Sequence, residues 1–222
     1  KWHPASSSQP VGDTGTPEEP VSIVCLSEPQ SYDNIFAVVS PPPGLLPDLN
    51  LVMSHVFSID RYVDLFQKRT LNLEEPSVVE VMNNMRESLM ELLTFCNPQQ
   101  GHGRQEANKK IVQARQQLLF DQNVHHILVE ALKGPFEAPD PLVPAQEHTD
   151  PKYTTIMVVA DLCYQLLRAM VQGCTTFALR LSEYIPFAQS QLGLRLSVAD
   201  TLMEIFKNNR RLVTEMNQEV VL

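Results

Sequence analysis

Apolar residues recur at three- and four-residue steps through most of this chain, the spacing that lines one face of an α-helix. Leu49, Val52, Val56, Ile59, Val63 and Phe66 form a stripe that predicts a helix over about 48–69, with Asp48 as its cap. Ser77 and Glu80 read as a capping box. Behind them Val78, Met82, Met85, Leu89, Leu92 and Cys96 make a second stripe. "NPQQGHG" interrupts the pattern. The spacing then predicts helices over about 105–120 and 123–133, the second stopped by Gly134-Pro135. The Pro-rich acidic stretch 136–151 reads as a loop. A helix over about 152–172 follows, with Ile156, Val159, Cys163, Leu166, Leu167 and Met170 inward, then one over about 175–190, interrupted at Pro186. Ser197 and Asp200 resemble another capping box, ahead of Val198, Leu202, Ile205 and Phe206. Asn208-Asn209 ends that helix, and Arg210-Arg211 opens a last short one.

The first 43 residues follow another pattern, rich in Pro, Ser, Thr and Gly. Within them "VSIVCL" (21–26) and "IFAVVS" (35–40) are β-branched runs bounded by turn residues, which predict strands. Two strands alone are marginal in water, so they are expected to be the end of a β-domain. "SPPPG" (40–44) closes the segment, because consecutive prolines continue neither a sheet nor a helix. The chain thus divides into 1–43 and 44–222, and the larger part is mainly α. Its six or seven amphipathic helices cannot bury their stripes singly. Stacked helix pairs or triplets of the armadillo type would satisfy them, and so would an irregular bundle. No clean repeat chooses between the two.

Composition adds limits. Of 222 residues 43% are hydrophobic, enough for a packed core. Seventeen Lys and Arg against 26 Asp and Glu give a net charge of −9, which argues against general nucleic-acid binding. No run approaches about 18 apolar residues, so no membrane span or membrane contact is expected. Cys25, Cys96, Cys163 and Cys174 form no CxxC pair. Cys96 and Cys163 lie on apolar stripes, a usage that suits a reducing, cytosolic-facing setting. Residues 1–20 are polar and Pro-rich, unlike a signal peptide, and a start at Lys1 suggests a piece of a longer chain.

Candidate chemistry is sparse. His125 and His126 are adjacent, so on a helix they point about 100° apart, and neither has a Cys or His partner at the i, i+3 or i, i+4 spacing of helical zinc pairs. No GxSxG, HExxH, Walker loop or GxGxxG occurs. Neither an enzyme, a metal site nor a cofactor is expected. The basic clusters are more informative. Arg104, Lys109, Lys110 and Arg115 surround one helix with only Glu106 against them, and Lys207, Arg210 and Arg211 form a second group. Either is a solvated face, or a surface for an anion or a partner.

Several segments together carry a resemblance: "ARQQLLFDQNVHHILVEALKGPF", "ADLCYQLLRAM", "SEYI" and "LSVADTLMEIFKNNRRLV". The markers are Arg115-Gln116, Gln122-Asn123, Pro135-Phe136, Leu162-Cys163-Tyr164 with Leu167-Arg168, Glu183-Tyr184-Ile185, Asp200-Thr201 and Asn208-Asn209-Arg210. In this order the segments resemble the helical domain shared by inositol trisphosphate receptors and ryanodine receptors, and are closer to the former. "KWHP", "VSIVCL" and "NIFAVVSP" are similar to the last strands of the β-trefoil that precedes that domain. The resemblance implies an armadillo-like helical domain beside a β-trefoil, on the cytosolic face of the endoplasmic reticulum. Its implied partners are that trefoil and neighbouring subunits of a homotetrameric calcium-release channel. The alternative is a helical-repeat protein-interaction scaffold with no channel.

In the trisphosphate receptors the ligand lies between the two domains, held by charged residues. The positions here that match the first ligand helix are Gln113, Arg115, Gln117 and Phe120, and those that match the second cluster are Ala178, Leu179 and Arg180. Only Arg115 and Arg180 keep their charge, with Lys109 and Lys110 as further basic candidates. A trisphosphate is held tightly by charge-assisted and bidentate hydrogen bonds. Gln supplies no charge, and Phe supplies neither charge nor donor. The matched positions therefore imply a degraded inositol trisphosphate site.

Overall fold

A computed structural model describes residues 44–66, 71–97, 105–137, 141–144, 146–207, 209, 212 and 213, with the side chains of all of these except 105–108. All belong to the unit Gly44–Leu222. The two expected strands, residues 1–43 as a whole, and Arg104, Arg210 and Arg211 of the basic clusters lie outside the described residues.

The described residues form helices and turns, and no strand occurs among them. The helices are α1 (Leu45–Phe66), α2 (Pro76–Cys96), α3 (Gln105–Asp121), α4 (Val124–Phe136), α5 (Thr154–Val171), α6 (Thr175–Arg180), α7 (Ile185–Ser190) and α8 (Val198–Phe206). The three-and-four stripes do what amphipathic stripes require and turn to a shared interior. Ile59, Met85, Leu89, Leu92, Leu128, Leu166 and Met170 are fully buried. α1 packs on α2 and α4, and α5 packs on the same two helices from across the core. α3 lies against α4 and α5, and α8 covers another side of α5.

α5 is the helix around which the rest assembles. With the turn before it, Pro151–Val171 is 21 residues long with mean hydropathy 1.3, long and apolar enough to cross a membrane by length and composition. Its apolar content has a packing reason. Neighbours on several sides bury Ile156, Val159, Cys163, Tyr164, Leu166, Leu167 and Met170, and a helix enclosed this way is apolar nearly all round.

Several ends differ from expectation. α1 starts at Leu45, so Asp48 lies in its first turn rather than capping it. α2 starts at Pro76 with Glu75 at its cap position, and Ser77 Oγ donates to Glu75 Oε1. Proline is pre-set for the first helical position, which displaces the expected box. α4 runs through Gly134 and Pro135 to Phe136. Gly134 serves a close crossing instead of a stop: a Cβ there would lie 2.8 Å from Phe66 Cβ of α1. The helix expected to break at Pro186 breaks earlier, at the 3-10 turn Leu181–Tyr184, and Pro186 is accommodated in the first turn of α7. Ser197 stands at the α8 cap position without a side-chain bond, and its N–H donates to Asp161 Oδ1 of α5 at 2.6 Å.

Candidate functional site

The residues picked out by sequence lie along α3 and at the end of α6. On an α-helix Gln113, Gln117 and Phe120 share one face, while Arg115 lies about 200° from Gln113. Lys109 and Lys110 are exposed on the N-terminal half of α3, as are Gln113 and Gln117 further along. The Gln117 amide donates to Asp121 Oδ1 at 2.6 Å within its own helix.

Arg115 is engaged elsewhere. One guanidinium nitrogen donates to the Phe95 carbonyl at 3.0 Å, and Nε lies 3.4 Å from Asp48 Oδ2. The guanidinium carbon sits 4.4 Å above the centre of the Phe95 ring, a favourable cation–π position. Arg115 therefore joins the start of α1, the end of α2 and the middle of α3. The next residue has a similar structural task. Gln116 is buried, and its amide donates to the carbonyls of Ala169 (2.8 Å) and Gln172 (3.0 Å) at the end of α5. Those carbonyls have no partner within their own helix.

Phe120 points inward. It is buried, and its ring stacks on Phe177 of α6 with centroids 4.2 Å apart and planes 17° apart. The His125 ring lies on it as well, 4.6 Å between centroids. Ala178 is buried beside Phe177, whereas Leu179 and Arg180 are exposed. The matched position Phe120 thus packs against Phe177, the residue just before the second matched cluster. Only Arg180, of the four basic candidates, is within electrostatic reach of this cluster, where it opposes protonation of His125.

Sequence reasoning missed the residues that complete the arrangement. His125 is buried, and its Nδ1 meets no partner among the described residues. Burial, then the positive charges of His126 and Arg180, hold its pKa below the usual histidine range, with Glu183 acting the other way. His126 is exposed, and its Nδ1 lies 3.0 Å from the Tyr184 hydroxyl. Burial and the neighbouring Glu183 push that hydroxyl up to about 12. The sequence signal for these contacts was the 'SEYI' match itself, which carries Glu183 and Tyr184. Nothing in the spacing linked them to the histidine pair.

Acid–base or nucleophilic chemistry finds little support. Burial pushes the Cys96 thiol up to about 12 and raises Cys163 as well, and a buried thiol is inert. Among the described residues no group of three or more His, Cys, Asp or Glu side chains could hold a metal ion.

The model of the RIH domain family, named for ryanodine and inositol trisphosphate receptors, matches residues 86–221. The match begins inside α2 and takes in every later helix, including the Phe120–Phe177 contact. With more than half of its residues matched, the chain belongs to the RIH domain family of ryanodine and inositol trisphosphate receptor homology.

Proposed function

We propose that this chain is the cytosolic, N-terminal regulatory part of a calcium-release channel closer to the inositol trisphosphate receptors than to the ryanodine receptors. Its helical domain is armadillo-like and follows a β-trefoil in the same chain. It works by contact with that trefoil and with neighbouring subunits of a homotetramer, and passes their movement to a pore at the endoplasmic reticulum membrane. It performs no enzymatic step. Inositol 1,4,5-trisphosphate is not its effective ligand.

The observation that carries the last point is the burial of Phe120 against Phe177. At Phe120 and Ala178 a phosphate could be bound only by separating two stacked rings and supplying donors that these two residues lack. Arg115 keeps its charge but directs it to Asp48 and Phe95. The family membership supports the channel reading.

Vesicles of endoplasmic reticulum carrying the complete protein test both parts. They should release calcium through it, and adding inositol trisphosphate should leave the flux unchanged. A protein that assembles without conducting calcium would favour the scaffold alternative. A flux that rises with inositol trisphosphate would reject the degraded site.

A further inference from the structure

We propose that His125 is an acid-sensitive wedge that releases α6 from the domain when it takes up a proton. The buried imidazole lies on Phe120 of α3 at 4.6 Å, and Phe120 in turn stacks on Phe177, so His125 bears on α6 through the Phe120 ring. His125 is the second residue of α4, so it stands at the positive end of that helix's dipole, where a cation is disfavoured. Its Nδ1 meets no acceptor among the described residues, so a proton gained there would be a charge without a hydrogen bond. Such a charge is costly to bury.

The charged groups facing His125 among the described residues are His126 on α4, Arg180 at the end of α6 and Glu183 in the 3-10 turn. Two of the three repel an imidazolium, and Arg180 is carried by the element that would move. α6 is six residues long and is held by the buried Phe177 and Ala178. The short element, with few anchors and a like charge, is the part that gives way. Once α6 has lifted, His125 is hydrated and returns toward its usual pKa.

The sign follows from proton linkage. Burial lowers the pKa of His125 in the closed state, so the open state binds protons more tightly. Closure is favoured fully above the ordinary histidine value of about 6.5 and weakens as pH falls below it. Between the open-state and closed-state pKa values the opening constant rises by up to about tenfold per pH unit. The consequence is an acid-dependent exposure of Phe120 and Phe177.

The test is amide hydrogen exchange of residues 175–180 in the full chain between pH 7.5 and 5.0, with the intrinsic pH dependence of exchange divided out. Protection should fall as pH drops below 6.5 in the wild type. His125→Phe keeps the ring stack and should give a flat profile. Arg180→Gln removes one repulsion from the protonated closed state and should shrink the loss of protection at pH 5.0. Constant protection in the wild type would overturn the proposal. So would an unchanged profile in His125→Phe, since His126 or another group would then be responsible. Should His125→Phe fold poorly, an undiminished acid loss of protection in Arg180→Gln decides against the wedge by itself.

Discussion

The ring of Phe120 lies on the ring of Phe177 with centroids 4.2 Å apart and planes inclined by 17°. One residue is the last of the first set of matched ligand positions, next to the end of α3, and the other immediately precedes the second set. If this stack is a structural joint, removing either ring should cost about 3–5 kcal/mol. A double-mutant cycle of Phe120→Ala and Phe177→Ala, followed by urea unfolding, should give a coupling of about 0.5–1.5 kcal/mol. Strict additivity would mean that the two rings do not act as a pair.

Arg115 offers a second test, because its contacts are internal. Arg115→Ala should destabilise the domain by about 1–3 kcal/mol, mainly by leaving the Phe95 carbonyl without its donor. Lys109→Ala, on the exposed face of the same helix, should stay within about 0.5 kcal/mol. Thermal unfolding of both variants separates them. Equal effects would show that Arg115 is no more structural than a surface lysine.

The core makes a sharper demand. Leu89, Leu128 and Leu166 come from three helices and are each fully buried. Each should lose about 2–5 kcal/mol on truncation to Ala. Met203 on α8 is 64% exposed, and Met203→Ala should change stability by less than about 0.5 kcal/mol. Chemical denaturation midpoints for the four variants would expose an error in the assignment of faces.

Gly134 tests the crossing of α1 and α4. A methyl group there would stand 2.8 Å from Phe66 Cβ, an overlap expected to cost about 1–3 kcal/mol. That outweighs the gain of about 1 kcal/mol in helix propensity. In a Phe66→Gly background, which removes the Cβ as well as the ring, the clash is gone, and Gly134→Ala should become stabilising. A stabilising effect in the wild-type background would show that the two helices are not held this closely.

The stripes were legible in the sequence because each rests on many residues, and one misplaced side chain does not hide the period. Leu89, Leu128, Leu166 and Leu202 all turned inward as their spacing required. Helix ends were less legible, since a cap depends on one or two atoms. Ser77 had the right neighbours for a box, but the helix starts two residues earlier than that box implies, at Pro76 with Glu75 at the cap. Gly134 looked like a stop because its real constraint, the Phe66 side chain, is distant in sequence. At the candidate site the sequence identified which positions had lost charge. It could not say that Phe120 was spoken for by Phe177, or that Arg115 was turned toward Asp48 and Phe95. Both depend on which helix lies across the interface, and periodicity along a single helix carries no such information.

Titration calorimetry of the full chain with inositol 1,4,5-trisphosphate tests most directly whether the matched positions still form a ligand site. The wild type should show no saturable heat up to millimolar ligand. A Gln113→Arg, Gln117→Lys variant, with the Phe120–Phe177 stack left intact, should gain measurable affinity, because both side chains are exposed on one face of α3. Saturable micromolar or tighter binding by the wild type would contradict the degraded site, and would mean that Arg180, Lys109 or Lys110 holds the phosphates that Phe120 cannot.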